Sequence, residues 1–94
     1  LMARFGDSIM ADWFHAARAE LPDAPLFLND WGTHDIDSDP GHVDHFVKTA
    51  GRLLEQGAPL GGLGLQSHIG GIPCPPASLL KTLDHYASTL GLPV

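Results

Sequence analysis

The chain has 94 residues, of which 44% are hydrophobic and 17% charged, a composition typical of a globular protein and not of a disordered segment. Eleven acidic and five scattered basic residues give a net charge of −6, which argues against a nucleic-acid-binding surface. No apolar run approaches the roughly 18 residues needed to span a membrane, and the single cysteine, Cys74, cannot form an internal disulfide.

Three stretches carry apolar residues at helical spacing: about residues 7–21, 41–56 and 76–90. Asp7 or Ser8 is the expected N-cap of the first helix, and Asp39 before a proline is the expected N-cap of the second. Gly57 and Gly91 follow the second and third helices, where a left-handed residue usually ends a helix.

The apolar stripes predict which helix faces are buried. In the first helix, Trp13 and Phe14 fit the stripe and are expected in the core. The expected buried stripe of the third helix consists of Leu79, Leu80, Leu83, Tyr86, Ala87 and Leu90.

Short apolar strands precede or follow these helices. They are predicted at residues 26–28 and 60–68, and a third begins at residues 92–94. The strands recur about every 35 residues, close to the repeat of a β/α barrel. Alternating strands and helices predict parallel strands with covering helices, and two strands alone would leave both sheet edges open. We therefore expect an α/β segment of a larger barrel, whose remainder is its main partner.

Polar side chains stand at the end of each predicted strand. Asn29 and Trp31 share one face at the end of the first, and Gln66 and His68 share one face at the end of the second. In such barrels the chemistry lies at this end of the strands. Amide groups bind hydroxyls and an aromatic ring packs on a sugar ring, so the pattern predicts a carbohydrate site. The glycines before Gln66 are expected to make room for large neighbours.

The acidic segment after the first strand invites a metal interpretation, which its spacing does not support. Residues 35–46 lack the glycine and the glutamate of a calcium-binding loop. His42 and His45 have no third ligand at a spacing typical of zinc sites. We expect a solvated acidic loop at residues 33–39 and no metal.

Two motifs give the chain a family resemblance. The segment LFLNDW at residues 26–31 and the segment GGLGLQSH at residues 61–68 resemble the family 10 glycoside hydrolases, the endo-β-1,4-xylanases. Trp13-Phe14 and the ending at residues 91–94 are also similar to that family. The resemblance implies that residues 1–94 are part of its catalytic (β/α)8 TIM barrel, from about the fourth helix to the start of the seventh strand.

The resemblance also implies a function. Such enzymes are retaining glycosidases with two catalytic glutamates, one after the fourth strand and one on the seventh, and both would lie outside these 94 residues. His68 would orient the nucleophile, Gln66 would contact the acid/base, and Asn29 and Trp31 would bind substrate, with Trp31 in place of the family's tyrosine. The implied substrate is xylan, acted on outside the cytoplasm, without cofactor, metal, nucleic acid or membrane.

Three other interpretations stay open at this point. The parent protein could be a related barrel glycanase acting on another β-glycan, or a carbohydrate-binding barrel without catalysis. The chain could also be a free-standing α/β interaction module. The flanking sequence would separate the first two, and the unfolding behaviour of the isolated chain would test the third.

Overall fold

The computed structural model describes residues 2–6, 8–71 and 73–94. Its elements, in chain order, are α1 (Met2–Phe5), α2 (Ile9–Glu20), β1 (Phe27–Trp31), α3 (Pro40–Glu55), β2 (Gly62–Gln66) and α4 (Pro76–Leu90). The three predicted helices are confirmed, the first two with small shifts at their ends, whereas the short α1 was not predicted. Its four residues are too few to show a periodic pattern in the sequence.

The residues predicted to begin and end helices have mixed outcomes. Asp39 is confirmed as a cap, because its side chain accepts a hydrogen bond from the backbone N of His42 at 3.0 Å. Gly57 and Gly91 are confirmed as left-handed, with φ of 74° and 67°. Ser8 precedes α2, but its side chain makes no capping hydrogen bond. The other predicted cap, Asp7, lies outside the described residues.

The two strands are parallel neighbours, as predicted. Their register pairs Phe27 with Gly62 and Trp31 with Gln66. The first strand therefore runs beyond its predicted end at residue 28, and the second is shorter than the predicted 60–68. The second strand ends at Gln66 because β1 ends opposite it. On the other side of β2, the backbone N of Leu63 donates to the O of Pro93 at 2.8 Å, where the third strand was predicted to begin.

The core lies on the face of the sheet that the helices cover. Its buried residues come from both strands, from α2, α3 and α4, and from the segment before β2: Ala11, Leu28, Val43, Phe46, Ala50, Leu53, Ala58, Leu60, Leu63 and Tyr86. Phe14 packs against this core as predicted, but the prediction for Trp13 is wrong, since it is 51% exposed. Trp13 is two positions from Ala11, the buried residue of α2, and therefore lies on nearly the opposite side of the helix.

The predicted buried face of α4 is also corrected. Tyr86 is fully buried, but Leu80 and Ala87 are exposed, and the polar residues Ser78 and Thr82 are buried instead. Ser78, Thr82 and Tyr86 share the face of α4 that meets the segment 33–38 between β1 and α3. The segment supplies polar partners, which is why hydroxyl groups are favourable there. None of the described helices is both long and apolar enough to cross a lipid bilayer.

Candidate functional site

The polar residues at the two strand ends lie at one edge of the sheet. Because the strands are parallel and in register, Asn29 lies beside Gly64 and Trp31 beside Gln66. Their side chains are on the sheet face opposite Leu28 and Leu63, the two strand residues buried under the helices. Trp31 is 64% exposed, and Asn29 is also exposed. The face that carries the candidate site is therefore open to solvent in this chain.

Two glycines of β2 give the side chains of β1 the space to lie across the sheet. A Cβ atom on Gly62 would lie 2.6 Å from the ring of Phe27. A Cβ atom on Gly64 would lie 2.9 Å from Oδ1 of Asn29. Both distances are shorter than non-bonded contacts allow, so the steric role predicted for these glycines is confirmed. The absence of a side chain at Gly64 leaves the space in which the amide of Asn29 lies.

Gln66 and His68 lie on the same side of the chain and contact each other. Nε2 of His68 and Oε1 of Gln66 are 3.2 Å apart. An amide oxygen only accepts hydrogen bonds, so Nε2 of His68 is the donor in this contact. Gln66 is half-buried at the last position of β2, whereas His68 is exposed in the loop that follows. The pair provides an amide donor and an imidazole beside Trp31.

Two further polar residues, Asp30 and His42, contact Trp31. Oδ1 of Asp30 accepts a hydrogen bond from the backbone N of Trp31 at 2.8 Å, and Oδ2 accepts one from Nε2 of His42 at 3.1 Å. The imidazole of His42 also contacts the indole of Trp31 edge-on, with ring centroids 5.5 Å apart and planes at 80°. Asp30 therefore links the end of β1 to the first turn of α3.

The segment after Trp31 is held to α4 by polar contacts that the sequence did not reveal. The carboxylate of Asp35 accepts hydrogen bonds from the hydroxyls of Ser78 and Ser38. The hydroxyl of Tyr86 donates to the backbone O of Thr33 at 2.6 Å, and the backbone N of Ile36 donates to the hydroxyl of Thr82 at 2.9 Å. The predicted solvated loop is thus wrong for Thr33 and Asp35, which are buried.

These contacts change the titration of the groups involved. The hydroxyl of Ser78, and then that of Ser38, stabilise the charged form of Asp35 and lower the pKa of its carboxyl well below the usual range. Burial raises the pKa of the Tyr86 phenol to about 12. Burial, followed by the negative charge of Asp35, raises the pKa of the Cys74 thiol. At neutral pH the carboxylate of Asp35 is therefore charged, whereas the Tyr86 phenol and the Cys74 thiol are neutral.

A cavity of about 460 Å³ lies between this segment and the start of α4. Its lining residues are Asp35, Asp37, Ser38, Pro73, Pro75, Ala77 and Ser78. None of the predicted site residues lines it, so it is separate from the strand-end cluster. Across the described part of the chain, no three His, Cys, Asp or Glu side chains are grouped to hold a metal ion.

Comparison with known proteins identifies the family. All 94 residues match the family described as "Glycosyl hydrolase family 10". The chain belongs to glycosyl hydrolase family 10. It is 32% identical over 91 residues to endo-1,4-beta-xylanase 2 of Arabidopsis thaliana, covering 97% of this chain and 8% of that protein. It is 33% identical over 63 residues to endo-1,4-beta-xylanase B of Paenibacillus barcinonensis, covering 67% of this chain and 18% of that protein.

A solved structure supports the predicted architecture. The chain superposes with a TM-score of 0.76 on a psychrophilic glycoside hydrolase family 10 endo-beta-1,4-xylanase, at 24% identity. The match covers 89% of this chain and 26% of that one. The chain is thus an α/β segment of a TIM barrel, and it spans less than a fifth of the length of the two family 10 relatives named above.

Within this family 10 segment, the structure brings together all four predicted site residues at one edge of the sheet: Asn29, Trp31, Gln66 and His68. Sequence reasoning missed the contacts of Asp30 and His42. His42 drew attention only as a weak candidate for zinc. A usable signal was present, because Asp30 alternates to the helix-facing side of β1 and His42 lies in the first turn of the next helix.

Proposed function

We propose that the protein to which this segment belongs is an endo-1,4-β-xylanase, which hydrolyses β-1,4-xylosidic bonds in xylan with retention of configuration. The observation that supports this most directly is the joint placement of Asn29, Trp31, Gln66 and His68 at the carboxyl ends of adjacent parallel strands. In barrel enzymes this end of the strands carries the active site. Family membership and the names of the relatives support the substrate class.

The catalytic carboxylates are proposed to come from parts of the barrel outside these 94 residues. A retaining glycosidase needs two carboxyl groups about 5 to 5.5 Å apart across the scissile bond. Glu20 and Glu55, the two glutamates of the chain, are the last residues of α2 and α3. Each helix leads back to the start of the next strand, so its last residue lies at the sheet edge away from the candidate site. The isolated segment should accordingly be inactive.

The roles proposed for Gln66 and His68 follow from their chemistry and geometry. His68 would donate a hydrogen bond to the nucleophilic carboxylate and hold it in position for attack. Gln66 would contact the acid/base carboxyl, whose proton must move to the leaving group and later be recovered from water. The bond between Gln66 and His68 fixes the two side chains relative to each other before substrate binds.

Asn29 and Trp31 are proposed to bind the polysaccharide. The amide of Asn29 can accept from one sugar hydroxyl and donate to another. The exposed indole of Trp31 offers a flat apolar surface to a pyranose ring. A polymeric substrate does not enter cells, so we place the enzyme outside the cytoplasm, in the periplasm or the medium.

Mutation of His68 in the full-length protein tests the proposal. His68→Ala should lower kcat about tenfold or more while KM changes little, because the contact acts on a catalytic group and not on bound sugar. Gln66→Ala should displace the limb of the pH–rate profile that reports the acid/base. The kinetic constants of His68→Ala and the pH–rate profile of Gln66→Ala are both obtained from the rate at which reducing ends are released from soluble xylan.

His15→Ala, at an exposed position of α2, is the matched control and should leave both kinetic constants unchanged. Equal values of kcat in wild type and His68→Ala would remove His68 from the site. Full-length protein that is folded but releases cellulose fragments and not xylan fragments would instead favour a related β-glycanase.

A further inference from the structure

We propose that His42 is a positioning residue for Trp31, and that Asp30 holds its imidazole in place for that task. The inference rests on the proposed function, because it takes Trp31 to be a surface that binds sugar. It goes beyond that function in naming two residues that do not touch substrate and in stating what each of them does.

The backbone of His42 is fixed at the start of α3. Its N–H donates to Oδ1 of Asp39, the N-cap, at 3.0 Å, and a proline begins the helix. These two features define the direction in which the side chain of His42 leaves the helix. A capping interaction of this kind stabilises the first turn of the helix.

The imidazole itself is enclosed on several sides. Nε2 donates to Oδ2 of Asp30 at 3.1 Å, and Nδ1 lies 3.9 Å from Oδ2 of Asp39. Gly32, with φ of 67°, turns the chain directly after Trp31, and a Cβ atom there would lie 3.5 Å from Nδ1. The ring of His42 therefore sits in a pocket made by the end of β1, the turn and the helix cap.

The indole of Trp31 rests against this ring. The T-shaped contact between Trp31 and His42 has a centroid distance of 5.5 Å, a geometry favoured for aromatic pairs. Asp30 completes the arrangement by accepting from the backbone N of Trp31 with its other oxygen. The indole is thus held by its contact with His42, while most of its surface is exposed.

Support of this kind matters most for an exposed side chain. A free indole samples several rotamers, and binding a sugar would have to select one of them. Holding the ring in one orientation beforehand removes that entropic cost from the binding step. Loss of His42 should therefore weaken substrate binding and leave the chemical step unchanged.

A double-mutant cycle in the full-length protein, with xylohexaose as substrate, tests the inference. His42→Ala should raise KM about threefold to tenfold, as expected for the loss of one aromatic contact, with kcat unchanged. Trp31→Ala should raise KM at least as much. In the double variant His42→Ala/Trp31→Ala, KM should equal that of Trp31→Ala alone. Effects that multiply would overturn the inference, and so would an unchanged KM in His42→Ala. His45→Ala, an exposed histidine on the same helix, is the control and should behave as wild type.

A spectroscopic measurement separates this inference from the proposed function. In full-length protein labelled with 5-fluorotryptophan, the fluorine resonance that disappears in Trp31→Phe belongs to Trp31. It should move toward the position of the free amino acid in His42→Ala and stay in place in His45→Ala. An unmoved resonance would overturn the positioning role even in an active enzyme. If the resonance moves but wild type does not hydrolyse xylohexaose, the proposed function fails and the contact between Trp31 and His42 stands.

Discussion

A glycine within a β-strand usually weakens it, because it has no side chain to pack and a high entropy in the unfolded chain. Gly62 and Gly64 both lie within β2, and each leaves space that a side chain of β1 fills. The chain gives up strand stability at these positions and gains room for Phe27 and Asn29 on the open face of the sheet. At Gly64 the gain concerns the candidate site directly.

Gly64→Ala in the full-length enzyme should therefore reduce activity without unfolding the protein. Its Cβ atom would lie 2.9 Å from Oδ1 of Asn29, so the amide must move, and since Asn29 is exposed it can do so. We expect kcat/KM on xylan to fall about tenfold or more, because a displaced amide no longer holds the substrate in its productive geometry. Steady-state kinetics and a thermal melt measure the two quantities.

Gly51→Ala is the control for this experiment. Gly51 lies within α3 and has no atom within 4 Å of an added Cβ, so alanine should raise the free energy of unfolding by about 0.5 to 1 kcal/mol and leave activity unchanged. Full activity in Gly64→Ala, with Gly51→Ala also active, would show that the position of Asn29 does not matter for the reaction.

At the scale of elements, α4 shows where sequence patterns are sufficient and where they fail. Its bounds, 76–90, were predicted without error, because proline, apolar spacing and Gly91 are local signals. Its buried face was predicted only in part. The leucines suggested a purely apolar stripe, whereas Ser78 and Thr82 are also buried. The hydroxyls of Ser78 and Thr82 are buried because Asp35 and Ile36 bond to them from more than 40 positions earlier in the chain. No local pattern encodes a partner at that separation.

The bond between Asp35 and α4 predicts how stability depends on pH. The pKa of Asp35 is lower in the folded protein than in the unfolded chain, so its contribution is complete above the ordinary carboxyl pKa of about 4 and declines as the pH falls below it. Asp35→Asn in the full-length protein should reduce the free energy of unfolding at neutral pH. The difference from wild type should be constant above about pH 5 and shrink as the pH falls from about 5 to about 2.

Urea unfolding at a series of pH values measures this difference. Asp23→Asn serves as the control, since it removes one exposed carboxylate from the turn before β1 and leaves Asp35 in place. A difference between wild type and Asp35→Asn that is constant across the pH range would mean that the charge of Asp35 does not stabilise the fold.

For the whole molecule, the alternation of strands and helices was sufficient to predict a parallel barrel segment, and the motif residues were sufficient to predict the family. The family is indicated by short stretches of sequence, such as residues 61–68. The barrel segment is indicated by the order of the predicted strands and helices along the chain. The contacts of His42 and Asp30 were not predicted, since they join two elements through side chains whose roles depend on the assembled edge. Prediction from sequence thus succeeded for the framework and for the shared location of Asn29, Trp31, Gln66 and His68, whose functional roles stay a prediction, and it missed the contacts that Asp30 and His42 make with Trp31.

The open face leads to a prediction about the segment on its own. Two parallel strands are covered by helices on one side, while Phe27, at 47% exposure, and Trp31 face solvent on the other. Parallel sheets are stable when both faces are covered, and a two-stranded sheet has no fully paired strand.

The isolated 94-residue chain should therefore lose its circular dichroism signal gradually in urea, without a cooperative transition, whereas the full-length protein should unfold cooperatively. It should also release no sugar from xylan. A sharp transition at one urea concentration, with a slope expected for 94 residues, would show instead that the segment is an independent folding unit, and the proposal that the rest of the barrel covers this face would then have to be abandoned.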